Sequence, residues 1–132
     1  MNRNLSPQFR YFHGSGHPFQ PGDTVEARRA GVFGGREPKA YASMSSEDVT
    51  PDDAIQMAGG YAKAGLGFAG IEQPRLFHDI HEVEPKGTPE HHKAFVESKG
   101  RHVPSIATDE AGFRVKGIGG YVDHQGRSIG TI

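Results

Sequence analysis

The sequence has no cysteine and no tryptophan, and its charges almost cancel. The absence of cysteine excludes disulfide scaffolds, thiolate zinc sites, iron–sulfur clusters and cysteine nucleophiles. Lys and Arg total 15 against 16 Asp and Glu, so the net charge of −1 attracts neither a nucleic acid nor an anionic membrane near neutral pH. No segment approaches the roughly 20 apolar residues of a membrane span, and the N-terminal arginine is followed by no apolar run. We therefore expect a cytoplasmic protein whose partners include neither nucleic acid nor membrane.

Length and composition predict one loop-rich domain. A chain of 132 residues is long enough for a single compact core and too short for two ordinary domains. Glycine (19) and proline (9) are more frequent than in an average protein, but less frequent than in disordered tracts.

Local patterns predict short strands around one main helix, which indicates the α+β class. The helix is predicted to begin after Thr50, a good N-cap, with Pro51 in its first turn, and to end near Gly65. Strands are predicted at 9–13, 24–27, 39–44, 103–107 and 113–118. A strand with an irregularity is favoured over a helix at 76–85. Loops are predicted at 28–38, 65–74 and 86–101, and the last is long enough to carry function.

Two sequence patterns that resemble ligand-binding motifs are weak evidence for a bound ligand. Residues 65–70 fit the Gly-x-Gly-x-x-Gly dinucleotide fingerprint, but a predicted helix precedes them where the fingerprint requires a strand. The histidine pairs 13/17, 78/81 and 91/92 are poorly spaced for a metal, because neighbouring residues and residues three apart on a strand face opposite sides. We expect exposed loop histidines and no metal site.

Four short motifs, taken together, point to a family. They are Tyr-Phe-His-Gly-Ser at 11–15, Pro-Gly-Asp at 21–23, Ala-Tyr-Ala-Ser at 40–43 and Val-Glu-Pro-Lys-Gly at 83–87. In this order and at these separations they resemble the rifamycin ADP-ribosyltransferases, small members of the ADP-ribosyltransferase superfamily. The resemblance covers about residues 9–118, and Ser15 keeps the hydroxyl of the threonine usual in the family. The family's helix tryptophan is missing, and 65–74 looks like an insertion.

The resemblance implies a fold and an activity. The fold would have short antiparallel strands in two packed sheets around an NAD cleft, with one main helix. NAD would be the co-substrate of a mono-ADP-ribosyltransferase that releases nicotinamide and transfers ADP-ribose to an acceptor hydroxyl, with a rifamycin-type antibiotic as the lead acceptor. A protein acceptor, or a non-catalytic relative that binds a nucleotide or a partner, remains as an alternative.

The resemblance also assigns residues. His13 would hydrogen-bond a ribose hydroxyl and Tyr41 would stack on nicotinamide. Gly14 would let the backbone approach the nicotinamide amide, and Ser15 would belong to the same binding segment. His13 and Tyr41 also have ordinary structural interpretations, as a strand-end histidine and a core tyrosine.

The third catalytic position is an acid that stabilises the oxocarbenium-like ribose. Glu90 matches it best by its distance after the Val-Glu-Pro segment, Glu97 is a second candidate, and Glu84 lies within the segment itself. Arg28 in the 28–38 loop, with Arg29 and Arg36, is a candidate to bind the pyrophosphate.

Overall fold

The computed structural model describes residues 9–14, 19–26, 39–64 and 78–132, and the side chains of these residues except 62–64. Within them the chain forms one helix, α1 (Pro51–Ala64), and eight strands. The strands are β1 (Arg10–Gly14), β2 (Thr24–Val25), β3 (Ala40–Ser45), β4 (His78–Pro85), β5 (Glu90–Val96), β6 (Arg101–Asp109), β7 (Phe113–Val122) and β8 (Ser128–Thr131).

All eight strands belong to one curled, half-barrel sheet of order β2-β7-β4-β1-β3-β6-β5, with β8 paired to β7. Every strand pair among the described residues is antiparallel. The prediction of two packed sheets around an NAD cleft is therefore wrong. The physical reason is that β1 is hydrogen-bonded to β3 on one side and to β4 on the other, which joins both halves into one continuous ladder.

Each face of the sheet carries its own apolar cluster. On the face covered by α1, buried side chains of the strands, of the helix and of the segment before it form one cluster: Phe12, Val49, Ala54, Ile55, Ala58, Ile80, Val96, Val103 and Val122. The other face holds a second cluster: Tyr11, Val25, Ala40, Ala42, Met44, Val83, Ala107, Phe113 and Val115. The alternation of side chains along the strands produces this division, since Tyr11 and Phe12 fall in different clusters.

Helix α1 begins where the sequence predicts. The Thr50 hydroxyl accepts a hydrogen bond from the Asp53 backbone amide at 3.1 Å, and Pro51 is the first helical residue. The helix continues through Gly59 and Gly60, and tertiary packing explains why the first of them is glycine. A Cβ atom at Gly59 would lie 2.6 Å from the Gly126 carbonyl oxygen.

The predicted irregular strand before Pro85 is confirmed, and the competing helix is wrong. β4 runs from His78 to Pro85, and its register with β7 shifts between Ile80 and His81 and again between Glu82 and Val83. These irregularities explain why the apolar residues of this segment do not alternate strictly.

The prediction of a loop at 86–101 is wrong, because this segment contains β5 and the hairpin turn into β6. β5 is an edge strand, and only Val96 among its residues is buried. The residues of β5 that turn toward the domain include His92 and Ala94, so the strand shows no clear apolar alternation and its sequence resembles that of a polar loop. The predicted loops at 28–38 and 65–74 lie outside the described residues.

Candidate functional site

The side chains of interest lie where β1 and β3 separate. Their pairing ends at Phe12 opposite Ser43. Beyond that point β1 continues against β4, up to Gly14 opposite Ile80, whereas β3 pairs with β6 at Tyr41 opposite Thr108. His13 and Tyr41 lie just beyond the last β1–β3 pair.

His13 and Tyr41, which are 28 residues apart in sequence, are in contact there. His13 Nδ1 lies 3.1 Å from the Tyr41 carbonyl oxygen, and the two rings meet edge to face with their centroids 5.4 Å apart. A carbonyl oxygen only accepts hydrogen bonds, so Nδ1 carries the proton and donates. In the neutral imidazole the lone pair is then on Nε2.

Further aromatic side chains extend this contact on both sides. Phe19 lies 5.9 Å from the ring of His13 and 5.6 Å from that of His81, and Tyr61 of α1 lies 6.3 Å from the ring of Tyr41. Edge-to-face geometry of this kind stabilises aromatic pairs more than the burial of their apolar surface alone would. We name these five side chains, His81, Phe19, His13, Tyr41 and Tyr61, the aromatic row.

Sequence reasoning missed three members of the aromatic row. His81 is directly opposite His13 in the β1–β4 register, and Tyr61 faces the sheet from α1. Phe19 follows the first glycine-rich segment without a pattern of its own. A signal for His81 would have required knowledge that β1 pairs with β4, and no local pattern contains that information.

Burial determines the protonation of the two tyrosines in the row. It raises the pKa of Tyr41, with a smaller contribution from the neighbouring Tyr61, and it raises the pKa of Tyr61 in the same way. Both phenols are therefore neutral at physiological pH. Their hydroxyl groups can donate hydrogen bonds, and their rings keep the electron-rich faces that stack on flat or cationic groups.

Gly14 is required by helix packing. A Cβ atom at this position would lie 2.6 Å from the Ala58 carbonyl oxygen and 3.0 Å from Ile80 Cδ1. The close approach of α1 to β1 thus accounts for the glycine without any ligand. Ser15 and Arg28, the other predicted binding residues, lie outside the described residues, as do Arg29 and Arg36.

Glu90 is close to the aromatic row in the sheet but does not touch it. Glu90 and Tyr41 both pair with Thr108, from opposite sides, so their backbones are two strand spacings apart, or roughly 10 Å. The Glu90 side chain is 61% exposed and accepts a hydrogen bond from Lys39 Nζ at 2.7 Å. This ion pair lowers the pKa of Glu90, so its carboxyl group is ionised at neutral pH.

The two other acids are less well placed than Glu90. Glu97 is exposed in the turn between β5 and β6, at the opposite end of β5 from Glu90. Glu84 is held by the Arg114 guanidinium on the neighbouring strand β7. The structure therefore brings His13 and Tyr41 together, leaves Glu90 two strands away from Tyr41, and keeps Glu97 apart.

The expectation of exposed loop histidines is wrong for His13, His78 and His81, which are buried in strands. His78 Nε2 lies 3.1 Å from Nδ1 of His124. Of the residues that the structure describes, no group of three or more His, Asp or Glu is arranged to hold a metal ion.

His91 and His92 on β5 also have partners within the domain. His91 Nε2 lies 3.1 Å from the Tyr11 hydroxyl, and burial, with a smaller contribution from His92, lowers the pKa of His91. His92 Nε2 lies 2.8 Å from the Thr108 hydroxyl. Both imidazoles thus contribute to joining β5 to the sheet.

Comparisons with protein-family models, curated proteins and solved structures find no match to this chain. The one helix within the described ranges is too short and too polar to cross a bilayer. A functional proposal therefore depends on the aromatic row and on the motif resemblance.

Proposed function

We propose that the protein is an NAD-dependent mono-ADP-ribosyltransferase, which releases nicotinamide and transfers ADP-ribose to an acceptor hydroxyl. The lead acceptor is a rifamycin-type antibiotic, and a protein acceptor is the alternative. The observation that carries the proposal is the contact of His13 with Tyr41 at the point where β1 and β3 separate. The family motifs assign binding of the nicotinamide riboside to these two residue types.

The reaction requires stabilisation of a cationic sugar. The bond between the ribose C1′ and the pyridinium nitrogen breaks, and its electron pair leaves with neutral nicotinamide. The acceptor oxygen then forms a bond to C1′ and loses its proton to a base. Residues that hold the riboside and place negative charge beside C1′ accelerate this step.

Tyr41 would supply a stacking surface. Its phenol is neutral because burial raises its pKa, so the ring face is suited to a pyridinium cation. Packing against His13 and Tyr61 restrains the ring and lowers the entropy lost on binding.

His13 would orient the ribose. Donation from Nδ1 to the Tyr41 carbonyl holds the ring in one tautomer, with Nε2 as the acceptor for a sugar hydroxyl. The same bond couples the two residues, so displacement of Tyr41 would also displace the imidazole.

Glu90 would supply negative charge at the ribose. Lys39 lowers its pKa, and a carboxylate of lowered pKa is a weaker proton acceptor. Its role in this proposal is therefore electrostatic stabilisation of the oxocarbenium ion more than removal of the acceptor proton.

The Lys39–Glu90 ion pair favours one alternative function. A lysine that neutralises the acid is compatible with a non-catalytic relative that binds NAD or another nucleotide without cleaving it. Calorimetry with NAD separates the two functions, because binding without nicotinamide release supports the binding protein.

The experiment incubates the protein with NAD and rifampicin, measures nicotinamide by chromatography, and measures the mass gain of the antibiotic. We expect both His13→Ala and Tyr41→Ala to lose most of the activity. Tyr41→Phe should keep it, because stacking does not require the hydroxyl. Loss of stacking in Tyr41→Ala should weaken NAD binding by about 1 kcal/mol, or roughly fivefold.

The matched control is His102→Ala, which removes an exposed histidine on β6. Circular dichroism confirms that each variant is folded. Full activity in folded His13→Ala and Tyr41→Ala would falsify the proposed site, and a wild-type protein that neither binds nor cleaves NAD would refute the function.

A further inference from the structure

The strand that carries Glu90 is connected to β4 by a turn containing Gly87, and a buried carboxylate holds this turn. Asp109, the last residue of β6, is only 3% exposed. Its Oδ2 accepts a hydrogen bond from the Gly87 amide at 2.9 Å, and its Oδ1 accepts one from the Ala111 amide at 2.8 Å. One side chain therefore holds both the β4–β5 connection and the β6–β7 turn.

The fit around this carboxylate is tight. A Cβ atom at Gly87 would lie 2.9 Å from Asp109 Oδ1 and 3.2 Å from Ala111 Cβ, so only glycine is accommodated there without a shift. Hydrogen bonds that a carboxylate accepts from backbone amides are short and strong, and burying a carboxylate is costly unless it accepts them. The turn is thus held in one position relative to β6.

Asp109 is also close in the sheet to residues that adjoin Glu90. Thr108, which precedes it, pairs with Glu90 on one side and Tyr41 on the other. Ala40 pairs with Asp109 and follows Lys39, the ion-pair partner of Glu90. The start of β3, the start of β5 and the end of β6 therefore lie side by side in the sheet near Asp109.

We infer that Asp109 is a positioning residue that holds the β4–β5 turn and thereby sets the location of the Glu90 carboxylate relative to Lys39 and Tyr41. The effect of Asp109 on catalysis rests on the proposed function, but its effect on the position of Glu90 does not. Displacement of the turn would move Glu90 away from Lys39 and from the reacting ribose without altering any member of the aromatic row.

The test substitutes Asp109→Asn, which keeps one acceptor oxygen and replaces the other by an amide donor. We expect kcat for nicotinamide release to fall about ten- to a hundredfold, the range for a misplaced catalytic group. We expect KM for NAD to remain within about twofold, because the aromatic row is unchanged. The same substitution in a Glu90→Gln background should cause little further loss, since Asp109 would act through Glu90.

A second readout does not need activity. The side-chain carboxyl carbon of Glu90 is titrated by NMR in the wild type, in Asp109→Asn and in Lys39→Met. Loss of the ion pair raises the pKa of Glu90, so Lys39→Met supplies the reference for a displaced carboxylate. We expect Asp109→Asn to move the titration toward that reference.

Two further variants keep the test decisive. Gly87→Ala perturbs the same contact from its other partner, and it replaces Asp109→Asn if that protein does not fold. Asp123→Asn is the matched control, because Asp123 Oδ1 accepts the Gln125 and Arg127 amides at 2.9 Å in the turn before β8. It should leave the Glu90 titration unchanged.

The outcomes are distinguishable. An unchanged Glu90 titration and an unchanged kcat in folded Asp109→Asn and Gly87→Ala would overturn the inference. A shifted titration in a protein whose wild type releases no nicotinamide would retain the positioning role and refute the proposed function.

Discussion

Substitution of Gly14 by alanine tests how α1 is fitted to the sheet. The added methyl group would lie 2.6 Å from the Ala58 carbonyl oxygen and 3.0 Å from its carbonyl carbon, well inside van der Waals contact. Because both atoms are helix backbone, no rotamer change relieves the clash, and α1 must move away from β1. Overpacking of this kind costs about 1–3 kcal/mol, and a backbone clash belongs at the upper end.

The expected change is measurable. A loss of about 3 kcal/mol lowers the Tm of a domain of this size by about 12 °C. Thermal unfolding followed by circular dichroism gives the Tm, and urea unfolding should show a lower midpoint with an unchanged slope.

The control is Gly60→Ala on the same helix. A Cβ atom at Gly60 has no neighbour within 4 Å, so alanine should stabilise the helix by about 0.5–1 kcal/mol. A Gly14→Ala protein as stable as the wild type would refute the packing argument. If that protein also failed to bind NAD, the glycine would instead be needed for ligand approach.

Two further predictions concern stability. Thr50→Ala should destabilise the protein by about 1 kcal/mol in urea unfolding, because it removes the hydroxyl that caps α1, and Thr50→Ser should be close to neutral. Arg10 lowers the pKa of Glu82 below its usual value of 4.5 through a bidentate hydrogen bond, and this lowered pKa contributes stability above about pH 4.5 that is lost as the pH falls through the folded-state pKa. Glu82→Gln should therefore flatten the acid limb of a plot of unfolding free energy against pH, and an equally steep limb in that variant would assign acid unfolding to other groups.

The sequence predicted the elements whose signals are local. Thr50 and Pro51 mark the start of α1 because capping and the fixed proline φ act within one turn. Pro85 marks the end of β4 because proline cannot continue a ladder. Composition alone excluded thiol chemistry, since no cysteine is present.

Sequence reasoning identified only some residues of the candidate site. The motifs selected His13 and Tyr41, and the structure places the two side chains in contact. They did not indicate Tyr61 or His81, because those residues join the row through helix docking and strand pairing. Glu90 could be counted from the Val-Glu-Pro segment, but its ion pair with Lys39 depends on β3 and β5 both pairing with β6.

Strand order and the number of sheets were decided by tertiary structure alone. Backbone amides and carbonyls are the same at every residue except proline, so a strand's sequence does not by itself specify which partner it bonds to. Burial against the rest of the fold makes that choice, and here it places β1 between β3 and β4 in one sheet instead of two. The sequence by itself therefore determined where α1 and most of the strands occur, and only the long-range pairing determined which side chains share a site.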